Sequence, residues 1–171
     1  GEGMECLYQL LRLAEGHYPE KEVEAYVGLA NYAMLLENRR LAHDYLGSAS
    51  SLIGRLSQDF QQTESYAALC YSLHNAYAGF YERENIDSAF WHLDQAERYA
   101  DRNLDKMCIL YQNRAVLYGY LKDYSMSEAF FKKAMLLMED EIQKQYVASN
   151  IAELERLKGN LQESLALYSD I

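Results

Sequence analysis

Three stretches of the chain share one frame: a small residue, a large apolar residue four positions on, and alanine three further. They are Ala42-x3-Leu46-x2-Ala49, Ala89-x3-Leu93-x2-Ala96 and Ser127-x3-Phe131-x2-Ala134. Positions i, i+4 and i+7 fall on one face of an α-helix, so each stretch predicts a helix stripe shaped for close packing. The small residues let a neighbouring helix approach, and the large one fills the gap beyond. Leu7-x3-Leu11-x2-Ala14 and Ser164-x3-Tyr168-x2-Ile171 follow the frame less strictly.

Helical spacing extends over nearly all the rest. Leu7, Leu10, Leu11 and Ala14 form one stripe, and Tyr26, Leu29, Ala30 and Ala33 form another ahead of the first frame. Tyr77-Ala78-x2-Tyr81, Tyr111-x3-Ala115-x2-Tyr118 and Ile151-Ala152 precede the later copies. One proline and nine glycines in 171 residues are too few breakers for a many-turned sandwich or barrel. The stripes break at Pro19 and Asn38, and near Gln58-Asp59, Glu84-Asn85, Arg102-Asn103, Lys122-Asp123, Glu139-Asp140 and Gly159-Asn160. The reading is an all-α chain of about nine helices, with short polar turns that make consecutive helices antiparallel. The turns rhyme as Glu37-Asn38, Asn85-Ile86, Lys122-Asp123-Tyr124 and Gly159-Asn160-Leu161, the second reading one residue short. Extra material is expected around 51–65.

This pattern resembles the tetratricopeptide repeat family, whose helix pairs carry A-x3-F-x2-A in the second helix and then a proline. The alanines recur at 14, 49, 96 and 134 with Ile171 in the next slot, and Pro19 stands five residues after Ala14. Arg114 and Glu155 depart from the pattern, standing where the family places leucine and an aromatic. The resemblance implies a right-handed α-α superhelix, a solenoid of helix hairpins forming one domain over 1–171. Its parts would be a partial repeat 4–19, repeats of about 22–57, 60–104 and 105–140, and a partial repeat 141–171. Ser164–Ile171 stop within a helical stretch, which reads as a piece of a longer protein, and Gly1 reads as a cloning remnant.

In such a stack the first helices line a concave wall. The inner slots it implies are Asn31, Met34 and Leu35, then Asn75, Gly79 and Arg83, then Gln112, Asn113, Val116 and Tyr120, and finally Ser149, Asn150, Glu153 and Arg156. The polar ones offer both donors and acceptors to a bound peptide backbone. The implied function is a protein- or peptide-binding interaction module, the sensing or docking part of a bacterial regulatory protein. The lysines of the family's carboxylate clamp are missing from these slots. The alternative is a structural module that self-associates as a homo-dimer through its terminal repeats, using Leu161, Leu165 and Tyr168.

Charge and chemistry narrow the partners. Sixteen basic against 26 acidic residues leave a net charge of −10, which repels phosphate backbones, so no nucleic acid is expected here. No stretch approaches the roughly 20 uninterrupted apolar residues of a membrane span, so no membrane insertion is expected. Cys6, Cys70 and Cys108 are odd in number, widely spaced and without C-x-x-C, which favours free thiols in a reducing, cytoplasmic setting. The histidines form no H-E-x-x-H motif. Cys70 and His74 share one helix face but lack companion ligands, so no metal site is expected, and no cofactor. The carboxylates at Glu20-Glu22-Glu24 and Glu139-Asp140-Glu141 fall at expected helix starts, where negative charge offsets the dipole. No catalytic constellation is evident, and no enzymatic activity is expected.

Overall fold

In a computed structural model the described residues are 2–169, and all their regular structure is helical. The elements are α1 (Glu2–Ala14), α2 (Pro19–Leu35), α3 (Arg39–Ile53), α4 (Glu64–Tyr81), α5 (Ile86–Arg98), α6 (Leu104–Tyr120), α7 (Tyr124–Met135), α8 (Glu141–Lys158) and α9 (Leu161–Ser169). A single 3₁₀ turn, Phe60–Gln62, precedes α4 and occupies the insertion expected at 51–65. Gly1, read as a remnant, and Ile171, the last slot of the fifth frame copy, lie outside the described residues.

Local chemistry sets the helix ends. Proline has no N–H to lose in a first turn, and Pro19 opens α2, while the chain leaves α1 through Gly16, whose φ is positive. Asn38, Asn85, Asn103, Asp123 and Asp140 each turn a side-chain oxygen onto the amide three residues on, satisfying a donor the helix leaves unpaired. The rhyme in the turns has a conformational basis. Glu37, Lys122 and Gly159 all have positive φ, and each stands directly before a polar residue, Asn38, Asp123 or Asn160, that begins the next helix. The turn after α4 corrects the expectation of a shortened link. Residues 82–85 separate α4 from α5, against 36–38 and 121–123 at the comparable turns. None of the four has positive φ, so the chain needs the extra residue to reverse.

The chain divides into two compact units, one reaching through Ala100 and the other beginning at Asp101. In the first, α2 pairs with α3 and α4 with α5, α1 packs on α2, and α4 packs on both α2 and α3. Its core includes Val23, Ala30, Leu46, Leu69, Leu73 and Phe80. Arg39 stitches α3 to the end of α4: its Nη2 donates to the Phe80 carbonyl at 2.7 Å, its Nε to Glu84 at 2.7 Å, and its guanidinium covers the Phe80 ring.

In the second unit α6 pairs with α7, α8 with α9, and α7 packs on α8. Cys108, Ala115, Phe131, Ala134, Val147 and Ile151 belong to its core. The Ser127 hydroxyl, buried in the small slot of its frame, donates to the Ala115 carbonyl at 2.7 Å. Arg114 and Glu155, the two departures from the repeat pattern, are both buried. Glu155 accepts from the Lys158 ammonium and from the Asn160 amide, so its charge enters the core already paired. Lys158 also donates to Glu128, and hydrogen bonds from Lys132 and Lys158 pull the Glu128 carboxyl down to about 2.

All nine residues of the three strict frames are buried. Ala96→Leu is therefore expected to overpack the α4–α5 hairpin and lower stability by about 1–3 kcal/mol in urea unfolding. Gly47 of α3 has open space where a Cβ would stand. Gly47→Ala is expected to raise stability by roughly 0.5–1 kcal/mol in the same assay, through helix propensity alone.

Candidate functional site

In the first unit the leading helices α2 and α4 pack on each other; in the second, α8 packs on α7 rather than along α6. A cleft of about 960 Å³ opens between the N-terminal halves of α6 and α8. That volume lies at the upper end of the roughly 300–1,000 Å³ common for ligand pockets. Cys108 and Met138, both buried, form its floor. The Cys108 thiol donates to the Ala134 carbonyl and accepts from Gln112 Nε2, each at 3.6 Å. Burial pushes this thiol up from its ordinary value and nearby Asp105 adds to the shift, so it stays protonated as that donor.

The walls are apolar and open to solvent. Leu104 and Ile109 of α6 are 61% and 42% exposed, and Ile142 and Tyr146 of α8 are 77% and 68% exposed. Ile142 and Tyr146 stand at i and i+4 and share one helix face. Grouped exposure of this kind marks an interaction surface more than the scattered apolar residues found on any protein. Among the described residues the charged side chains on the lining are Asp105, Glu139 and Asp140, all acidic.

Of the residues singled out from the sequence, Gln112 lines this cleft, while Asn113, Ser149, Asn150, Glu153 and Arg156 do not. Ser149 donates its hydroxyl to the Gln145 carbonyl of its own helix. Glu153 and Arg156 form a two-pronged pair along α8, with Nε and Nη2 donating at 2.7 and 2.6 Å. Val116 and Tyr120 are exposed, Tyr120 roughly 12 Å further along α6 than Gln112 at 1.5 Å per residue. In the first unit, Asn31 and Asn75 line one smaller cleft of about 300 Å³ with Glu24, Val27, Gly28 and Tyr71. Met34 is half-buried, and Leu35, Gly79 and Arg83 are exposed. On α9, Leu161 and Leu165 are exposed. The Tyr168 side chain, grouped with them in the self-association reading, lies outside the described residues.

Leu104, Ile109, Ile142 and Tyr146 were not among the sequence candidates. Their signal is large apolar side chains off the buried stripes: Ile109 stands beside buried Cys108 and Leu110, and Tyr146 beside buried Val147.

The first unit holds a second feature with distinct chemistry. A pocket of about 400 Å³ is lined by Tyr66, Cys70, His74, Tyr77, Tyr81, Trp91, His92 and Tyr99, among others. Nδ1 of His74 and Nδ1 of His92 lie 2.9 Å apart, one ring donating and the other accepting. Tyr77 and Tyr81 stack on His92, and Tyr99 stacks on His74. Burial lowers both imidazoles, His92 to about 4, with His74 as a second cause for His92. Cys70, the i−4 neighbour of His74, is held up by burial, against hydrogen bonds from Tyr66 and Tyr99. Among the described residues no three His, Cys, Asp or Glu side chains group to hold a metal ion, and no helix is long and apolar enough to cross a membrane.

No protein-family model and no curated protein matches this sequence.

The histidine pair sets a pH dependence with a definite sign. Both rings are neutral in the fold, whereas an unfolded chain protonates them near 6.5. Their contribution to stability is full above that value and is lost as pH falls from about 6.5 toward about 4. Urea midpoints measured across that range should fall toward acid, and more gently in His92→Phe, which removes one titrating ring and keeps an aromatic one.

Proposed function

We propose that this chain is a tetratricopeptide-like interaction module that docks a peptide segment of a partner protein, as the docking part of a regulatory protein, with no chemistry of its own. The observation that carries the reading is the α6–α8 cleft, where four large apolar side chains stand open to water around a buried floor. Water released from such surface favours association by roughly 25 cal/mol per Å² covered, so apolar anchors seated there would supply most of the binding energy. Gln112, at the base of the α6 wall, adds a side-chain carbonyl that can accept from a bound backbone, its amide being engaged by Cys108. The recurring small–large–alanine frame supports the same reading, since it is the packing device of a family whose members bind peptides with their leading helices.

Selection of random 12-residue peptides displayed on phage tests it. Selected peptides are expected to bind the purified protein in the micromolar range. Ile142→Asp, at a position 77% exposed, should weaken them at least tenfold while leaving the thermal transition in place. Selected peptides that bind Ile142→Asp and Ile109→Asp as tightly as the parent would overturn the assignment to this cleft.

A further inference from the structure

We infer that the segment accepted by the α6–α8 cleft carries large apolar side chains flanked by lysine or arginine. The inference rests on the docking reading above and adds the partner's charge. Two helix N-termini, those of α6 and α8, meet at the cleft, and bare helix starts would draw an anion. Here they are not bare. Asn103 accepts from the Lys106 amide at 3.0 Å and Asp140 from the Gln143 amide at 2.9 Å, so these side chains already occupy the ends. A phosphate or a terminal carboxylate entering the cleft would meet Asp105, Glu139 and Asp140, and among the described residues no cation lines the cleft to receive it. The nearest cation on α8, Lys144, is held 2.6 Å from Glu141. Carboxylates at the mouth and apolar walls within suit a chain whose charges sit outside its apolar anchors. A net charge of −10 over the whole sequence steers such a chain in the same sense.

The test uses the purified protein and three fluorescein-labelled 12-residue peptides. One has a core of four leucines spaced by serines and two lysines at each end; the second replaces the lysines with glutamates; the third keeps the lysines and replaces the leucines with serines. The lysine-flanked leucine peptide is expected to bind in the micromolar range, with each of the others at least tenfold weaker. Ile142→Asp should weaken it tenfold or more although that change adds negative charge. Glu139→Lys, an exposed change outside the helices, should narrow the gap between lysine and glutamate flanks. Equal binding of both leucine peptides, lost together in Ile142→Asp, would overturn the charge inference and leave peptide docking standing. A serine-core peptide as tight as the leucine one, or binding that survives Ile142→Asp, would show mere attraction to an acidic protein and overturn it too. So would failure of all three to bind, in which case the displayed-peptide selection decides the docking reading separately.

Discussion

Helices in both units meet where there is almost no side chain. Ala42, Ala49, Ala89, Ala96, Ser127 and Ala134 are buried on the second helix of their pairs, and Ala30, Ala33, Ala76, Ala78 and Ala115 are buried on the first. Alanine loses no rotamer freedom when ordered, so the contact has little entropic cost. The large frame residues, Leu46, Leu93 and Phe131, then close the space between contacts. Bulk that cannot enter this seam goes to the margins, which is where the tyrosines gather. Tyr8 and Tyr45 join hydroxyls at 2.8 Å, and Tyr66 and Tyr99 flank Cys70. Burial, with a smaller push from these neighbours, carries Tyr45 and Tyr66 up to about 12. The clefts and the histidine pair are consequences of where the seam leaves room.

What is readable in the chain follows from how local its cause is. A capping asparagine acts on an amide three residues away, so the starts of α3, α6, α7 and α8 could be placed from residues at 38, 103, 123 and 140. The packed face could be read as well, because burial of the frame needs only the helical period. The link from α4 to α5 misled because its reversal has no left-handed residue to announce it. The stretch from Gly54 to Thr63 is held by contacts no periodicity encodes, among them Gln61 reaching back to the Leu56 carbonyl at 2.9 Å.

The site was less legible than the fold for a related reason. Periodicity separates the face a hairpin must bury from the rest, but the rest is divided only by which neighbours arrive. Amides and charges at inner slots looked available in sequence, yet Ser149, Glu153 and Arg156 bond within α8. Ile109 and Ile142 carried no signal of a site in sequence, and both stand exposed.

The clefts beside the leading helices of the two units differ in what borders them. Facing residues between α2 and α4 include Gly28, Asn31, Ser72 and Asn75, and the space left there is about 300 Å³. Gly28 is constrained further, since a Cβ there would meet a terminal methyl of Leu7 on α1 at 2.7 Å. The cleft between α6 and α8 is bordered by Ile109, Gln112, Ile142 and Tyr146, nearer the helix starts, and its space is about 960 Å³. α8 packs on α7, and Ile109, Ile142 and Tyr146 at this opening are left to water. Exposing these three together with Leu104 is unfavourable and invites non-specific association. A net charge of −10 opposes that association by keeping copies apart, and carboxylates stand at the mouth of the cleft, where the proposed basic segment would meet them. On the docking reading we propose, charge and apolar surface act at different ranges: one would decide which chains approach, the other which of them stay.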